Sequence, residues 1–459
     1  MSVKLWLYRL WAHRPKRSLS PTQNIAVVFA VIILLGAILL TLPIASRDGV
    51  SCGFRPALFT ATSATCVTGL VLYDTWTQWS AFGQVVILCM IEVGGLGFMT
   101  AASFVILLFR RRVGLKQRLL MAQALSVSDM ESVVKLQKWA LFGSLGIQLA
   151  GAVVLFVRFL PEFGMEKAVW WGIFHSISAF CNAGFDVFGS VAPGASMAAF
   201  RTDPVVCVTV MLLIVVGGLG FFVWEEIVRL RSWKKFSVYT KLVLLMSGAL
   251  ILGGALCFCI LEWNNPETLG AMTGPQKILN GFFQSVTVRT AGFASVDQCG
   301  LTESGKAVSI VLMLIGGSSG STAGGVKTVT IVVLLLFLWS RIRSRSSVCV
   351  FKRTIPDRQV LDAMTVVSVL VVLALFGGVV ISATSNVGFT DALYESVSAL
   401  ATVGLTAGVT TSLSIPAQIL IMIFMYFGRV GVLTLSLGFL MGSKAEERFQ
   451  YAHTNLLIG

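Results

Sequence analysis

Residues 174–185 read FHSISAFCNAGF, and three further segments of the chain follow the same pattern. In each segment an aromatic residue lies ten positions before a glycine, small or hydroxyl residues fill most of the interval, and Leu or Phe follows the glycine. The other three segments are FTATSATCVTGL at 59–70, FFQSVTVRTAGF at 282–293 and YESVSALATVGL at 394–405. Their glycines are 115, 108 and 112 residues apart, so the chain is predicted to contain four repeated units.

Long apolar stretches flank each of these segments. The stretches before them cover about 24–45, 138–160, 239–261 and 361–383, and those after them about 81–109, 205–228, 307–339 and 416–441. A helix needs about 20 apolar residues to cross a membrane, where an unpaired backbone is not tolerated. The sequence therefore predicts an all-α membrane protein with eight transmembrane helices. Four helix, pore-loop, helix repeats would surround one central pore with pseudo-fourfold symmetry.

The predicted domain boundaries follow from these repeats. They are an interfacial N-terminal helix at 1–18, repeat 1 at 19–118, repeat 2 at 119–235, repeat 3 at 236–353, repeat 4 at 354–442 and a cytoplasmic tail at 443–459. Repeat 3 contains an additional intramembrane loop at 316–325.

Composition and charge agree with a membrane location. The 459 residues are 56% hydrophobic and only 12% charged, whereas soluble domains contain about 25% charged residues. The segments on one side of the predicted spans carry a net charge of +18, and those on the other side carry −4. By the positive-inside rule, both termini lie in the cytoplasm and the protein lies in a cell membrane. This asymmetry explains the basic composition without a nucleic-acid partner.

The short polar stretch before each glycine predicts a half-helix that enters the membrane from outside. Its C-terminal end carries a partial negative charge, and a glycine just beyond allows the backbone to turn its carbonyl groups inward. Rings of such carbonyls replace the water shell of a dehydrated cation. The predicted filter residues are Thr65, Cys66, Val67, Thr68, Gly69, Cys181, Asn182, Ala183, Gly184, Arg289, Thr290, Ala291, Gly292, Ala401, Thr402, Val403 and Gly404. The alternative is that these glycines only ease helix packing.

A glycine-rich run interrupts the second apolar stretch of repeat 3. It contains five glycines in ten residues, which disfavour a helix by about 1 kcal/mol each. An unwound segment at this depth must be buried in protein or line a water-filled cavity. We therefore expect it to lie beside the permeation path and to act as a gate. The predicted gate residues are Gly316, Gly317, Ser318, Ser319, Gly320, Ser321, Thr322, Ala323, Gly324 and Gly325. A closely packed, kinked helix is the alternative, and Lys327, just after the run, is read as an interfacial charge.

Ionisable residues within predicted membrane segments are candidates for a role in the pore. Arg429 lies near the middle of the last span, where it cannot easily reach water, and is expected to face the pore and to hold the loop through its carbonyls. The alternative is a structural pair with Glu92. Arg289 is expected to brace the filter by donating to neighbouring carbonyls.

The four motifs together resemble those of the Trk/Ktr/HKT superfamily of potassium transporters. The fragments ATCVTGL, FCNAGF, VRTAGF and ATVGL, and the GGLGF strings at 94–98 and 217–221, carry the resemblance over nearly the whole chain. It is greatest to the membrane subunits (KtrB) of bacterial Ktr systems. The resemblance implies filter glycines at Gly69, Gly184, Gly292 and Gly404, a homodimer, and a cytosolic ring of KtrA-type nucleotide-binding subunits. Potassium is the implied ion, and a role for sodium stays open.

Two classes of function remain after these observations. The first is potassium uptake through a gated, carbonyl-lined pore driven by the membrane potential. The second is a secondary cation transporter with alternating access, coupled to sodium or protons, in which symmetry-related broken helices would form the site. Only repeat 3 has a strongly glycine-rich break, which favours the pore. No motif typical of an enzyme is found.

Overall fold

The computed structural model describes residues 21–97, 130–194 and 196–431 of the chain. The predicted N-terminal helix at 1–18 and the predicted tail at 443–459 lie outside the described residues. Within these ranges the structure is mostly helical. It has one antiparallel hairpin, in which β1 (Val348–Val350) pairs with β2 (Arg353–Ile355) so that Val348 lies opposite Ile355.

The helices of the first half of the chain follow the predicted order. They are α1 (Pro21–Thr41), α2 (Phe54–Thr65), α3 (Thr75–Gln78), α4 (Ala81–Leu96), α5 (Met130–Cys181), α6 (Pro204–Leu219) and α7 (Phe221–Leu230). Helix α5 is interrupted at Gly164, whose φ of 76° and ψ of 172° are not helical. Its part after Gly164 is therefore a separate short helix that ends at Cys181, three residues before Gly184.

The second half repeats this order. Its helices are α8 (Val238–Glu262), α9 (Gly274–Thr287), α10 (Glu303–Leu314), α11 (Thr328–Ile342), α12 (Asp357–Ser385), α13 (Phe389–Leu400) and α14 (Ile415–Tyr426), and a π-helical turn at Phe427–Gly431 follows α14. Helices α2, α9 and α13, together with the last part of α5, precede the four motif glycines. We call them the pre-glycine helices.

The pre-glycine helices form the centre of the protein, and the long first helices cover them. Helix α1 packs on α2, α8 on α9, and α12 on α13. The aromatic side chains of Phe59, Phe174 and Tyr394, which begin three of the motifs, are completely buried. The long helices instead expose large apolar side chains, such as Leu252 on α8 and Val372 on α12, each 63% accessible. Such an apolar exterior is typical of a surface in contact with lipid.

The second helix of each unit begins at a polar capping residue. The side chains of Ser80, Asp203, Thr302 and Ser414 accept hydrogen bonds from backbone N–H groups in the first turns of α4, α6, α10 and α14. Such caps satisfy donors that have no partner within the helix. The same capping position in all four units agrees with the predicted repeats.

The second helices of the first two units differ from the prediction because they do not run unbroken through 81–109 and 205–228. Helix α4 ends at Leu96 before Gly97, with φ 81°, and α6 ends at Leu219 before Gly220, with φ 88°. Helix α7 then continues at an angle of 94° to α6. Breaks of the second helix therefore occur in repeats 1 and 2 as well as in repeat 3, whereas α14 continues after Tyr426 as a π-helical turn.

Close packing against the pre-glycine helices accompanies these breaks. A Cβ atom at Gly94 would overlap the carbonyl oxygen of Thr65, and one at Gly217 would overlap that of Phe180. Gly428 approaches the carbonyl of Leu400 in the same way. At these three pre-glycine helices the chain can approach so closely only because glycine lacks a side chain.

The described helices include several candidate membrane spans. Among the described residues, three helices are long and apolar enough to cross a membrane alone, namely Trp139–Cys181, Val238–Glu262 and Asp357–Ser385, and the bent pair α6 and α7 makes four. Four further apolar helical segments are shorter than a span. The arrangement of eight spans thus stays a prediction.

Candidate functional site

Four motif segments, at 65–69, 181–184, 289–292 and 401–404, follow the C-terminal ends of the pre-glycine helices. They contain all the predicted filter residues. In each segment the residue two positions before the glycine has a positive φ, with values of 56° at Val67, 59° at Asn182, 66° at Thr290 and 52° at Thr402. A left-handed conformation costs a residue with a Cβ about 1–2 kcal/mol. The same unfavourable backbone at the same position four times indicates that the surroundings impose it.

The glycines of these segments meet in a closed ring. A Cβ atom at Gly69 would lie 2.5 Å from the carbonyl oxygen of Ala183, and one at Gly184 would lie 2.9 Å from that of Ala291. The ring continues from Gly292, where a Cβ would lie 2.5 Å from the carbonyl oxygen of Val403. It closes at Gly404, whose Cβ would overlap the carbonyl oxygen of Thr68.

This ring brings together segments that are more than 100 residues apart in sequence. Each glycine abuts the residue before the next glycine, and the fourth unit returns to the first. All four glycines have a positive φ, between 69° and 99°. Both the backbone conformation and the space around the ring therefore require glycine.

Hydroxyl side chains connect the segments to the helices that precede them. Ser63 and Ser398 accept hydrogen bonds from the N–H groups of Gly69, at 3.0 Å, and Gly404, at 3.1 Å. Ser178 and Thr287 donate to the carbonyls of Phe185 and Phe293, the residues after the other two glycines.

These four hydroxyl residues are not among the filter residues predicted from the sequence. A serine six positions before the glycine in three of the four aligned motifs is the signal that could have identified them.

A cavity of about 590 Å³ lies on the far side of the ring from the pre-glycine helices. All four glycines line it, as do segments that follow them in sequence. Its charged lining residues are Asp74, Asp186, Arg201, Glu267 and Asp297. The lining therefore has an excess of negative charge, which raises the local concentration of cations.

The residues predicted as a gate form a loop between α10 and α11, and we call 316–325 the gate loop. Its two ends are joined, because the N–H of Gly316 donates to the carbonyl of Val326 at 2.9 Å and the N–H of Val326 donates to that of Leu314 at 3.0 Å. The loop is therefore not a kinked helix, in agreement with the unwinding expected from its glycines.

The gate loop touches two units of the ring. On one side, the hydroxyl of Thr322 donates to the carbonyl oxygen of Phe180 at 3.0 Å. On the other side, a Cβ at Gly324 would lie 2.9 Å from the carbonyl oxygen of Ala401. These carbonyls belong to the second and fourth units, which do not follow each other around the ring.

The gate loop and the cavity contact opposite ends of the motif segments. The cavity is lined by the glycines and by residues after them, whereas the loop contacts the ends of the pre-glycine helices. The ring therefore lies between the cavity and the loop.

The first half of the gate loop is bound to the break between α6 and α7. The N–H of Ser318 donates to the carbonyl of Gly218 at 3.0 Å, and the N–H of Phe221 donates to the carbonyl of Gly320 at 3.0 Å. In addition, the Tyr239 hydroxyl donates to the carbonyl of Ser319 at 3.0 Å. The sequence prediction missed this contact because it treated 205–228 as one helix.

Arg429 lies on the π-helical turn and connects the gate loop to the first unit. Its Nη1 donates to the carbonyl oxygen of Thr322 at 2.5 Å. Its Nη2 donates to the carbonyl of Gly95 at 3.1 Å and to that of Gly94. The guanidinium group thus joins the last turn of α4 to the loop.

Glu92, the alternative partner of Arg429, has other contacts. Its carboxylate accepts hydrogen bonds from the amide of Gln148 at 3.1 Å and from the thiol of Cys181 at 3.3 Å. The ion pairs within the described ranges do not include one between Glu92 and Arg429. Glu92 therefore contacts the first residue of the second motif segment, Cys181.

Arg289 is buried, with 8% of its surface accessible. The hydrogen bond of its guanidinium group is a contact of 3.3 Å from Nη2 to the hydroxyl of Ser247 on α8, and its Nε lacks a partner in the described part of the chain. Its side chain is thus directed towards α8. The donation to neighbouring carbonyls expected from the sequence is absent from the hydrogen bonds of the described residues.

The chain matches known proteins over almost its whole length. The family described as TrkH, a cation transport protein, matches residues 2–450. The potassium/sodium uptake protein NtpJ of Enterococcus hirae is 39% identical over 97% of this chain and 99% of its own length. The Ktr system potassium uptake protein B of Bacillus subtilis is 36% identical over 94% of this chain and 95% of its own length.

A solved structure agrees with the fold. The potassium transporter TrkH from Vibrio parahaemolyticus superimposes with a TM-score of 0.71, covering 92% of this chain and 85% of that protein at 17% identity. The resemblance predicted from the four motifs is thereby confirmed, and the relatives are membrane transport proteins, not enzymes. A family match over nearly the whole sequence, together with full-length relatives at 36–39% identity, means that this chain belongs to the TrkH family of cation transport proteins.

Proposed function

We propose that this protein takes up potassium through the ring of four glycines and that the adjoining carbonyls select the ion. The main support for this proposal is the closed ring of glycines. It gathers backbone carbonyls from four units at one position, and carbonyl oxygens can replace the hydration shell of an alkali cation. The membrane potential, which supplies about 2.3 kcal/mol per charge for each 100 mV, is sufficient to drive uptake.

Electrostatics support a cation as the transported ion. The four pre-glycine helices end at the ring, and a helix C-terminus carries a partial charge of about −0.5. The cavity on the other side of the ring adds an excess of acidic residues. A cation would enter from the acidic cavity and lose its water at the ring.

The proposal includes eight spans around a pseudo-fourfold axis. Three observations support this arrangement: the cyclic order of the glycines, the common capping position of the second helices, and the common positive φ two residues before each glycine. The charge asymmetry of the sequence supports an orientation with the cavity outside and both termini in the cytoplasm of a bacterial cell.

We propose that the gate loop closes the inner end of this path. The loop reaches from the carbonyl of Phe180 in the second unit to that of Ala401 in the fourth unit, beneath the ring. An obstruction held there by hydrogen bonds would stop an ion that has passed the ring. The contacts of Arg429 with Thr322 and Gly95 would stabilise the closed position.

An alternating-access cation transporter is the second candidate. The breaks in several second helices favour it, because broken helices in symmetry-related positions form the binding sites of such transporters. The two candidates differ in how their ion flux behaves. The net flux through a pore rises with the membrane potential, whereas a carrier exchanges ions across the membrane and is stimulated by ions on the opposite side.

The names of the relatives support a place in a multisubunit system. Two relatives are Ktr system potassium uptake proteins B, from Bacillus subtilis and Vibrio alginolyticus. We propose that this chain is the ion-conducting membrane subunit, that it forms a homodimer, and that a cytosolic ring of KtrA-type nucleotide-binding subunits controls it. A relative described as a potassium/sodium uptake protein makes sodium a candidate coupled or regulatory ion.

A flux assay on the purified full-length chain tests the proposal. Proteoliposomes loaded with potassium and held at a negative internal potential should take up tracer rubidium much faster than tracer sodium. Empty liposomes and the same vesicles without a potential serve as controls. No rubidium uptake above that of empty liposomes would overturn the proposal, and trans-stimulated exchange without net current would favour the alternating-access carrier.

A further inference from the structure

Lys327 lies two residues after the gate loop and is the residue before the first turn of α11. Its side chain turns back towards the loop, and Nζ donates a hydrogen bond of 2.8 Å to the carbonyl oxygen of Ala323. The ion pairs of the described residues include none that joins Lys327 to a carboxylate. The partner of this ammonium group is thus the gate loop itself, which differs from the interfacial charge predicted from the sequence.

Arg429 and Lys327 bind consecutive carbonyls of the loop. Arg429 donates to the carbonyl of Thr322, and Lys327 donates to that of Ala323. The two side chains therefore converge on one short stretch of the loop.

The backbone around Lys327 fixes the starting point of its side chain. The N–H of Thr328 donates to the carbonyl of Gly317 at 3.1 Å, and Val326 pairs with Ile315 and Gly316 at the joined ends of the loop. Lys327 is therefore anchored at the base of the loop, while its ammonium group reaches a carbonyl inside the loop. A side chain held in this way limits the movement of the residues between Ala323 and Lys327.

We propose that Lys327 is a positioning residue that keeps the second half of the gate loop beneath the ring. It acts together with Arg429, and each supplies a charged donor for one of two adjacent carbonyls. This inference rests on the proposed function. It gives the closed state a second positively charged side chain besides Arg429, and this side chain belongs to the same repeat as the gate loop.

The variant Lys327→Met tests the inference, since it keeps the length of the side chain and removes the donor. A hydrogen bond from a charged group contributes enough to favour a closed loop by about tenfold or more. In proteoliposomes without regulatory subunits, we expect this variant to raise rubidium uptake by about that factor. The rubidium to sodium ratio should not change, because the ring is untouched.

Hydrogen exchange distinguishes a held loop from a charge effect. Peptides that cover 316–328 should lose protection in Lys327→Met, whereas Lys327→Arg, which keeps a charged donor, should retain most of it. Lys241→Met is the matched control, because the ammonium of Lys241 also donates to a backbone carbonyl, that of Lys234, but outside the loop. This control should leave both flux and exchange unchanged.

Several outcomes would overturn the inference. They are unchanged flux in a folded Lys327→Met protein, a rise in flux without any change in loop exchange, and an equal rise in Lys241→Met. If Lys327→Met does not fold, Lys327→Gln, which keeps an uncharged donor, should show an intermediate rise, and wild-type flux in that variant would count against the inference. Failure of the proposed function is separate, since the wild-type protein itself would then show no rubidium uptake.

Discussion

Arg429 donates a hydrogen bond to the carbonyl oxygen of Thr322, a residue 107 positions earlier in the chain. The same guanidinium group reaches the carbonyl of Gly95, 334 positions away. One side chain of the fourth unit therefore joins the loop of the third unit to a helix of the first. This relationship makes the gate loop a part of the tertiary structure and not an isolated surface loop.

Replacement of Arg429 by Ala should release the loop. Removal of a charged donor that binds three backbone carbonyls should raise rubidium uptake without regulatory subunits by about tenfold or more. Arg429→Lys should give a smaller rise, because a lysine cannot bind carbonyls of the loop and of α4 at the same time. Arg341→Ala, at the exposed end of α11, is the control. Loss of folded Arg429→Ala protein in size-exclusion chromatography would instead favour a structural role.

Replacement of Gly292 by Ser should weaken the preference for potassium over sodium. A Cβ at this position would lie 2.5 Å from the carbonyl oxygen of Val403, and φ is +83°. The ring must then shift, and a distortion that costs about 1–2 kcal/mol changes the ratio of rubidium to sodium uptake by about tenfold.

Gly248→Ser, on α8, is the control for this substitution because a Cβ there meets no atom within 4 Å. Competition of sodium with rubidium uptake measures the preference in both variants. An unchanged ratio in a functional Gly292→Ser protein would contradict the carbonyl filter.

Deletion of residues 317–324 should produce an open path. The two ends of the deletion are already close, because a Cβ at Gly316 would lie 3.2 Å from the Cα of Gly325. Joining them therefore requires little movement of α10 and α11. We expect rubidium flux to rise and to lose its dependence on any regulatory subunit. Flux equal to or below that of the wild type, in protein with normal melting behaviour, would remove the loop from the gating mechanism.

Replacement of Ser398 by Ala should destabilise the ring. The Ser398 hydroxyl accepts the N–H of Gly404 at 3.1 Å, and a buried donor left without a partner costs about 1–3 kcal/mol. We expect a lower melting temperature in detergent and a weaker stabilisation by added potassium. Thr365→Ala, where an exposed hydroxyl bonds only to its own helix, is the control. Identical melting curves for the two variants would show that the hydroxyl does not support the segment.

Local patterns in the sequence predicted much of the fold. The alignment of four motifs located the glycines, and the positive φ at each one is the conformation that a residue without a Cβ adopts easily. The glycine-rich run likewise predicted the unwound gate loop. These features depend on the chemistry of neighbouring residues, so a single sequence contains them.

The breaks in the second helices of the first two units were not predicted, although Gly97 and Gly220 occur in the quoted GGLGF strings. Both lie in apolar stretches that could continue as helices, and hydrophobicity does not distinguish a straight span from a bent one. The close approach of Gly94 to Thr65 and of Gly217 to Phe180 depends on contacts with other helices. Such contacts have no local signal.

The sequence by itself determined four units, their glycines, the membrane environment and the position of the loop, because each of these depends on residue type and spacing. Only the tertiary structure decided that the glycines meet in a ring, that Arg429 holds Thr322 and that Lys327 points into the loop. In each of these contacts, the packing of the helices sets the distance between the two groups that meet. Packing of distant segments depends on the whole chain, and no local pattern encodes it.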